Sequence, residues 1–159
     1  MRTVFVLFVS LLVAACGPDA TPPGAPPTAT PPAPPSTAPS ALAERLPTQV
    51  DGRQRQSLEQ TTESALGAEV VRVSAGYGSP AAVTLEITDF GTAEMTEMMG
   101  HGWALAPDAD RLGGHPVQRD TAAATVRLLA DGRYLAQATA PTTAEAEAAV
   151  QTIALTNLP

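Results

Sequence analysis

The sequence contains no lysine, a single cysteine, two histidines and few aromatic residues, which make up 4% of its 159 positions. One cysteine cannot form an intrachain disulfide, and these cysteine and histidine residues are too few to supply the four ligands of a structural zinc site. The missing lysines and a formal net charge of −7 disfavour a basic surface, so we expect no nucleic-acid partner. The sequence is therefore that of a small acidic protein, long enough for one domain.

Long apolar runs are also scarce, and the longest lies at the amino terminus. Residues 3–13 are predominantly apolar and follow Met1 and Arg2. A helix of this length would reach about 17 Å at ~1.5 Å per residue, which is short of a hydrocarbon core of ~30 Å. The positive start, the short apolar run and the small residues Ala14 and Ala15 therefore predict a secretory signal peptide over residues 1–15.

The residues that follow are more specific, because Val13-Ala14-Ala15-Cys16 resembles the lipobox of bacterial lipoproteins. The resemblance implies that Cys16 is thioether-linked to a diacylglyceryl group, that cleavage occurs just before it, and that its amino group is often acylated, for example with palmitate. Cys16 is thus the expected lipid-attachment residue, and the expected location is the cell envelope. Gly17 in place of an aspartate favours the outer membrane in a Gram-negative source. The alternative is a conventional signal peptide with an incidental cysteine.

Proline is concentrated in the next segment. Residues 17–41 contain 10 of the 16 prolines and a single charged residue, Asp19. Proline removes backbone donors, and a segment so poor in large apolar residues cannot bury a core. At ~3.1 Å per residue in polyproline II, its 25 residues would span roughly 75 Å. We therefore expect residues 16–41 to be a lipidated cysteine followed by a disordered tether.

Residues 42–159 have the composition of a single globular domain. Apolar and polar residues alternate from Val83 to Ile87, which predicts a strand with one buried face, and a similar alternation at 71–77 predicts its antiparallel partner. The predicted strands are residues 53–60, 70–77, 82–89, 117–119, 124–130 and 133–140.

Asp131-Gly132 predicts a tight hairpin between the last two strands, since both turn positions favour positive φ. Pairing across a two-residue turn would place Leu135 on the same face as Val126 and Leu128. The other face would carry the apolar residues Leu129, Tyr134, Ala136 and Ala138. Both faces of this hairpin would then need cover, which helices can supply.

Two main helices are predicted. Thr142 and Glu145 form a capping-box pattern ahead of an apolar stripe. The other helix is predicted at about 92–99, with Thr92 as its candidate cap and Gly100 as the candidate residue just after its end. A short lead-in helix is expected at 41–46. The fold class is therefore α+β, with an antiparallel sheet of about five to six strands covered by two to three helices. In element order this resembles the PsbP-like fold, a resemblance without a diagnostic motif that transfers no activity.

The one compositional oddity of the domain lies at residues 94–101. Met95, Met98, Met99 and His101 are thioether and imidazole donors of the kind that suits Cu(I) outside the cytoplasm. Met95 shares a helix face with Met98 or Met99, but His101 lies beyond Gly100. The alternative is an amphipathic helix whose methionines pack on the sheet.

No arrangement in the sequence indicates catalysis. His101 and His115 are the only histidines, and no nucleophile-elbow pattern is present. We expect no catalytic residues and no cofactor. The sequence favours a membrane-anchored extracytoplasmic lipoprotein with a non-catalytic binding or assembly domain, whose partner is an unknown envelope protein or small ligand. Periplasmic copper binding through residues 95–101 is the alternative.

Overall fold

The computed structural model describes residues 40–159. The predicted signal peptide at 1–15, the lipid-attachment residue Cys16 and the tether up to residue 39 lie outside the described residues. Ser40 and Ala41, the last two residues of the predicted tether, lead into the domain, where the carbonyl of Ser40 accepts a hydrogen bond from the N–H of Ala43 at 2.8 Å.

The described residues form eight strands and two short α-helices. In chain order these are β1 (Gln49–Val50), β2 (Arg53–Ala65), β3 (Ala68–Tyr77), β4 (Val83–Asp89), α1 (Ala93–Thr96), β5 (Arg111–Leu112), β6 (His115–Asp120), β7 (Thr125–Ala130), β8 (Tyr134–Thr139) and α2 (Thr143–Val150). A 3₁₀ turn at Ala43–Arg45 precedes β1, while a π-helical turn at Glu97–His101 and a 3₁₀ turn at Gly102–Leu105 follow α1.

The strands make one antiparallel sheet in the order β1-β2-β3-β4-β8-β7-β6-β5. Two meanders, β1 to β4 and β5 to β8, are joined where β4 pairs with β8. The predicted antiparallel sheet is confirmed, but the described residues are mostly β, with only two short α-helices in place of the α+β arrangement with two to three covering helices. The strand number exceeds the expected five to six because β1 and β5 are two residues long, too short to show an alternating pattern.

The main core lies on one face of the sheet, which we call the inner face. Helix α2 packs there against β4, β7 and β8. Ala146, Ala149 and Val150 are buried under the helix, as the apolar stripe predicts. The largest fully buried side chains of the sheet on this face are Val73, Tyr77, Val83, Leu85, Ile87, Val126 and Leu128.

The opposite, outer face carries a smaller apolar cluster formed by Val70, Phe90, Met95 and Leu135, with Trp103 packed against it. The segment that follows β4 therefore covers one end of this face. Beside the cluster the outer face is polar, and Arg127 of β7 donates to Gln137 of β8 at 2.8 Å.

The β7–β8 turn corrects one expectation. Asp131 and Gly132 have φ angles of 51° and 66°, as the dipeptide predicts. However, pairing resumes between Ala130 and Tyr134, so the loop has three residues. One extra residue moves every β8 side chain to the other face. The predicted grouping was therefore wrong: Leu135 pairs with Leu129 on the outer face, while the residues that share the inner face with Leu128 are Tyr134, Ala136 and Ala138.

The helix predicted at 92–99 is present but changes type. Thr92 caps it as expected, since its Oγ1 accepts from the N–H of Met95 at 3.1 Å. The α-helical part ends at Thr96 and a π-helical turn continues to His101. Gly100 has a φ of 86°, a conformation that favours glycine, and it turns the chain as predicted.

Candidate functional site

A cleft of about 450 Å³ opens between α2, the β1–β2 turn and the start of β4. Most of its wall is apolar. Its lining residues are Val50, Asp51, Arg53, Val83, Ala144, Glu145, Ala148, Ala149 and Thr152. A volume of this size falls within the range of about 300 to 1,000 Å³ that is typical of small-molecule sites.

Two local features of the sequence create the cleft. Asp51 and Gly52 have φ angles of 47° and 74° and form a two-residue hairpin turn, with Val50 paired to Arg53. This turn brings Asp51 and Arg53 to the cleft rim. On the facing helix three of the four lining residues are alanines, whose small side chains leave the space between helix and sheet unfilled. Asp51-Gly52 is the same turn signal as Asp131-Gly132, and the sequence analysis missed it.

Glu145 supplies the feature that distinguishes this cleft. Its N–H donates to Thr142 Oγ1 at 3.2 Å, which is half of the predicted capping box. The reciprocal bond from the Thr142 N–H to the Glu145 carboxylate is not formed in the described part of the chain. Instead, Oε2 of Glu145 is shut off from solvent and has no hydrogen-bond partner there. A buried polar atom left without a partner costs about 1 to 3 kcal/mol.

The charges around the cleft favour a ligand with N–H donors. Arg53 Nη1 lies 3.4 Å from Asp51 Oδ2, and the Asp51 side chain is 77% exposed. Glu145 forms no ion pair within residues 40–159. The lining therefore carries two carboxylates against one guanidinium, and the unpaired charge is negative. An ammonium, guanidinium or amide group would pair with the Glu145 carboxylate once a side-chain rotation exposes Oε2 to the cleft.

The predicted copper ligands are divided between the interior and the surface. Met95 is 3% exposed and packs in the smaller apolar cluster, whereas Met98 and Met99 are 62% and 45% exposed. The His101 ring lies 5.2 Å from the Phe90 ring, centroid to centroid. Burial, with a lesser contribution from the charge of Arg127, lowers the pKa of His101.

The two histidines lie on opposite faces of the sheet. His101 contacts the outer face through Phe90. His115 lies on the inner face, where it lines a hollow of about 190 Å³ with Leu128 and Val150. The structure therefore does not bring them into one site. Among residues 40–159 no group of three or more His, Cys, Asp or Glu side chains is arranged to bind a metal ion.

Trp103 is half-buried against the smaller apolar cluster, and its indole N–H is buried without a partner in the described part of the chain. Its side chain thus contributes to packing on the outer face. None of the helices in the described range is long and apolar enough to span a membrane.

Comparison of the chain with protein-family models, with curated proteins and with solved structures finds no match.

Proposed function

We propose that this chain is a lipid-anchored binding protein of the cell envelope, whose domain binds a small organic ligand in the cleft beside α2. In this proposal Cys16 carries the lipid and the proline-rich residues 17–41 separate the domain from the membrane. The lipobox pattern and the proline content support the anchor and the tether. The anchored side of the membrane is the extracytoplasmic one, and the outer membrane is favoured in a Gram-negative source.

One observation carries the binding function. Glu145 lines a cleft that is otherwise mostly apolar, and its Oε2 is buried without a hydrogen-bond partner among the described residues. A ligand with an apolar body would cover Val50, Val83 and Ala148, and its N–H donor would pair with the Glu145 carboxylate after a side-chain rotation that turns Oε2 toward the cleft. Binding then gives the unpaired oxygen a partner, so the site favours amines and disfavours carboxylates of the same shape.

A non-catalytic role is the better supported class. The two histidines lie on opposite faces of the sheet, which separates the groups most able to transfer protons at neutral pH. The copper alternative remains a prediction from the sequence. It would require Met95 to leave the smaller apolar cluster in order to join Met98 or Met99 at the surface.

Binding of phenylbutylamine and of phenylbutyrate, which share one apolar body, tests the proposal. The full chain in an uncharged detergent is titrated with each compound, and methyl NMR shifts of Val50, Val83 and Ala148 report occupancy. We expect the amine to bind and the carboxylate to leave these shifts unchanged. Equal binding of the two compounds would contradict the role of the carboxylate.

Two variants and a control sharpen the result. Glu145→Gln should weaken amine binding about tenfold or more, because a charge-assisted hydrogen bond is lost. Ala148→Trp should abolish binding by filling the cleft. Glu94→Gln makes the same chemical change at an exposed residue of α1 and should bind the amine like the wild type. Equal effects of Glu145→Gln and Glu94→Gln would reject the site.

A further inference from the structure

Among the described residues, the edge of β2 that faces away from β3 is open over most of its length. β1 pairs only with Arg53 and Gln54, and the N–H of Arg55 donates to the carbonyl of Thr48 at 3.0 Å. From residue 57 to 65 the strand pairs with β3 alone within the described range, and residues 56–64 are exposed. The other edge of the sheet is β5, which has only two residues. The sheet therefore has one short edge and one long open edge.

This open edge has only part of the usual protection against pairing with another chain. Natural edges are commonly blunted by charged side chains, lysine above all, and by proline, bulges or short length. Residues 56–65 contain no lysine, arginine or proline, and the irregularity in register lies at the start, between Arg55 and Ser57. An edge of this kind exposes a row of backbone N–H and C=O groups that an added strand can bind.

The charge of the edge is negative. Glu59 and Glu63 point to the outer face, opposite Ser74 and Val70 of β3. Both glutamates are exposed, and neither forms an ion pair with another described residue. Residues four apart in a strand are separated by about 13 Å, so two side chains with the same spacing in a partner strand can meet both.

A hollow lies beside β2 next to the residues that precede β1. It has a volume of about 290 Å³, and Leu58 at its wall is 38% exposed. Its lining residues are Ala43, Glu44, Leu46, Thr48, Arg55 and Leu58. Leu58 points to the inner face, opposite in direction to Glu59, because neighbouring side chains of a strand alternate. A partner strand can therefore place an apolar side chain in this hollow while its cations face Glu59 and Glu63.

We propose that β2 binds an extended basic segment of a partner protein as an added antiparallel strand. The register defines the segment: a Lys or Arg opposite Glu63, three residues, a second Lys or Arg opposite Glu59, and then a large apolar residue opposite Leu58. The negative charge and the hollow together select this partner. This surface is separate from the Glu145 cleft and does not depend on the function proposed for it.

Two other occupants fit less well. Residues 17–41 of this chain are too rich in proline to supply the backbone donors of a strand. A second copy of β2, paired antiparallel about Thr61, would place Glu59 of one copy opposite Glu63 of the other. Like charges directly opposite each other destabilise a strand pair.

The test uses the full chain in an uncharged detergent and the capped peptide Thr-Lys-Val-Thr-Val-Lys-Leu-Thr. We expect the peptide to slow amide hydrogen exchange in residues 56–65. Two N-methylated peptides provide the decisive comparison, since alternate N–H groups of a strand point to opposite edges. Methylation of one alternate set should abolish binding, and methylation of the other set should leave it unchanged. Equal binding of both methylated peptides would overturn strand addition, because it would show attraction by charge alone.

Charge-reversal variants test the register. Glu59→Lys with Glu63→Lys should weaken binding of the basic peptide about tenfold or more and should favour a peptide with glutamates in place of its lysines. Glu145→Gln should leave peptide binding unchanged, which separates this surface from the cleft. Absence of protection in residues 56–65, or a second copy bound at this edge in the absence of peptide, would reject the proposed partner.

Discussion

Asp89 and Arg133 form a two-point ion pair at the junction of the two meanders. Nε and one Nη of Arg133 lie 2.6 Å from Oδ1 and Oδ2 of Asp89. The Asp89 side chain is 13% exposed, and its Oδ1 also accepts from the N–H of Gly91 at 2.8 Å. The hydrogen bonds with Asp89 are the main cause that raises the pKa of Arg133. The pair ties the end of β4 to the β7–β8 turn beside the β4–β8 seam.

Replacing Asp89 should destabilise the domain. Asp89→Asn removes the charge from a two-point pair whose carboxylate is largely buried and whose guanidinium is 38% exposed, and we expect the free energy of unfolding to fall by about 1 to 2 kcal/mol. Urea unfolding measures the change. Asp110→Asn is the matched control, because Asp110 pairs with Arg119 but its side chain is 69% exposed. The free energy of unfolding of this control variant should fall by less than ~1 kcal/mol. Equal losses for the two variants would contradict the structural role of Asp89.

Copper affinity should not depend on the exposed methionines. Since Met95 is packed in the smaller apolar cluster, Met98 and Met99 alone supply too few converging donors for a tight Cu(I) site. We expect wild type and the Met98→Leu, Met99→Leu double variant to retain equal amounts of Cu(I) against a competing chelator. A folded Met95→Leu variant with sharply reduced affinity would instead support the copper alternative.

Stability should depend on pH through His101. Burial and the charge of Arg127 lower the native pKa of His101 from 6.5. As pH falls through 6.5, the unfolded chain takes up a proton that the native chain does not, so the free energy of unfolding decreases until the lowered native pKa is reached. Chemical unfolding between about pH 7.5 and 5.5 measures this slope. His101→Gln should remove the part of this slope that comes from His101, and Arg127→Gln should make that part smaller. An unchanged slope in His101→Gln would contradict the assignment.

Lipidation of Cys16 is tested by mass spectrometry of the mature protein. We expect an amino terminus at Cys16 with a diacylglyceryl group and recovery of the wild type in the membrane fraction. Acyl chains stabilise membrane attachment by ~0.8 kcal/mol per buried CH₂, so Cys16→Ala should shift the protein to the soluble fraction. An unmodified wild-type amino terminus at any other residue would disprove the anchor.

Much of the sheet could be predicted because its strands have strong local patterns. The alternation from Val83 to Ile87 predicted both a strand and its buried face, and Thr142 predicted the start of α2. The end of β2 was missed because its polar residues 61–65 lack an alternating apolar pattern. The predicted register of β8 was wrong by one residue, because Arg133 lies in the turn and does not pair with β7.

The candidate site could not be predicted in the same way. The cleft depends on the separation between α2 and the sheet, which the alanines of the helix leave open and which no short-range pattern specifies. Glu145 fitted a capping box in the sequence, where its carboxylate is expected to bind the N–H of Thr142. That carboxylate oxygen is instead buried beside the cleft. Tertiary packing, and not the local sequence, decides between these two arrangements of the Glu145 carboxylate. The buried position of its oxygen is the reason for the functional proposal.

A crystal structure of the chain bound to phenylbutylamine tests the central claim most directly. We expect the amine nitrogen at about 2.7 to 2.9 Å from a carboxylate oxygen of Glu145, the distance of a charge-assisted hydrogen bond, with the phenyl ring against Val50, Val83 and Ala148. Density for the amine elsewhere on the domain, or a Glu145 carboxylate bonded to the N–H of Thr142 with the cleft closed, would contradict it.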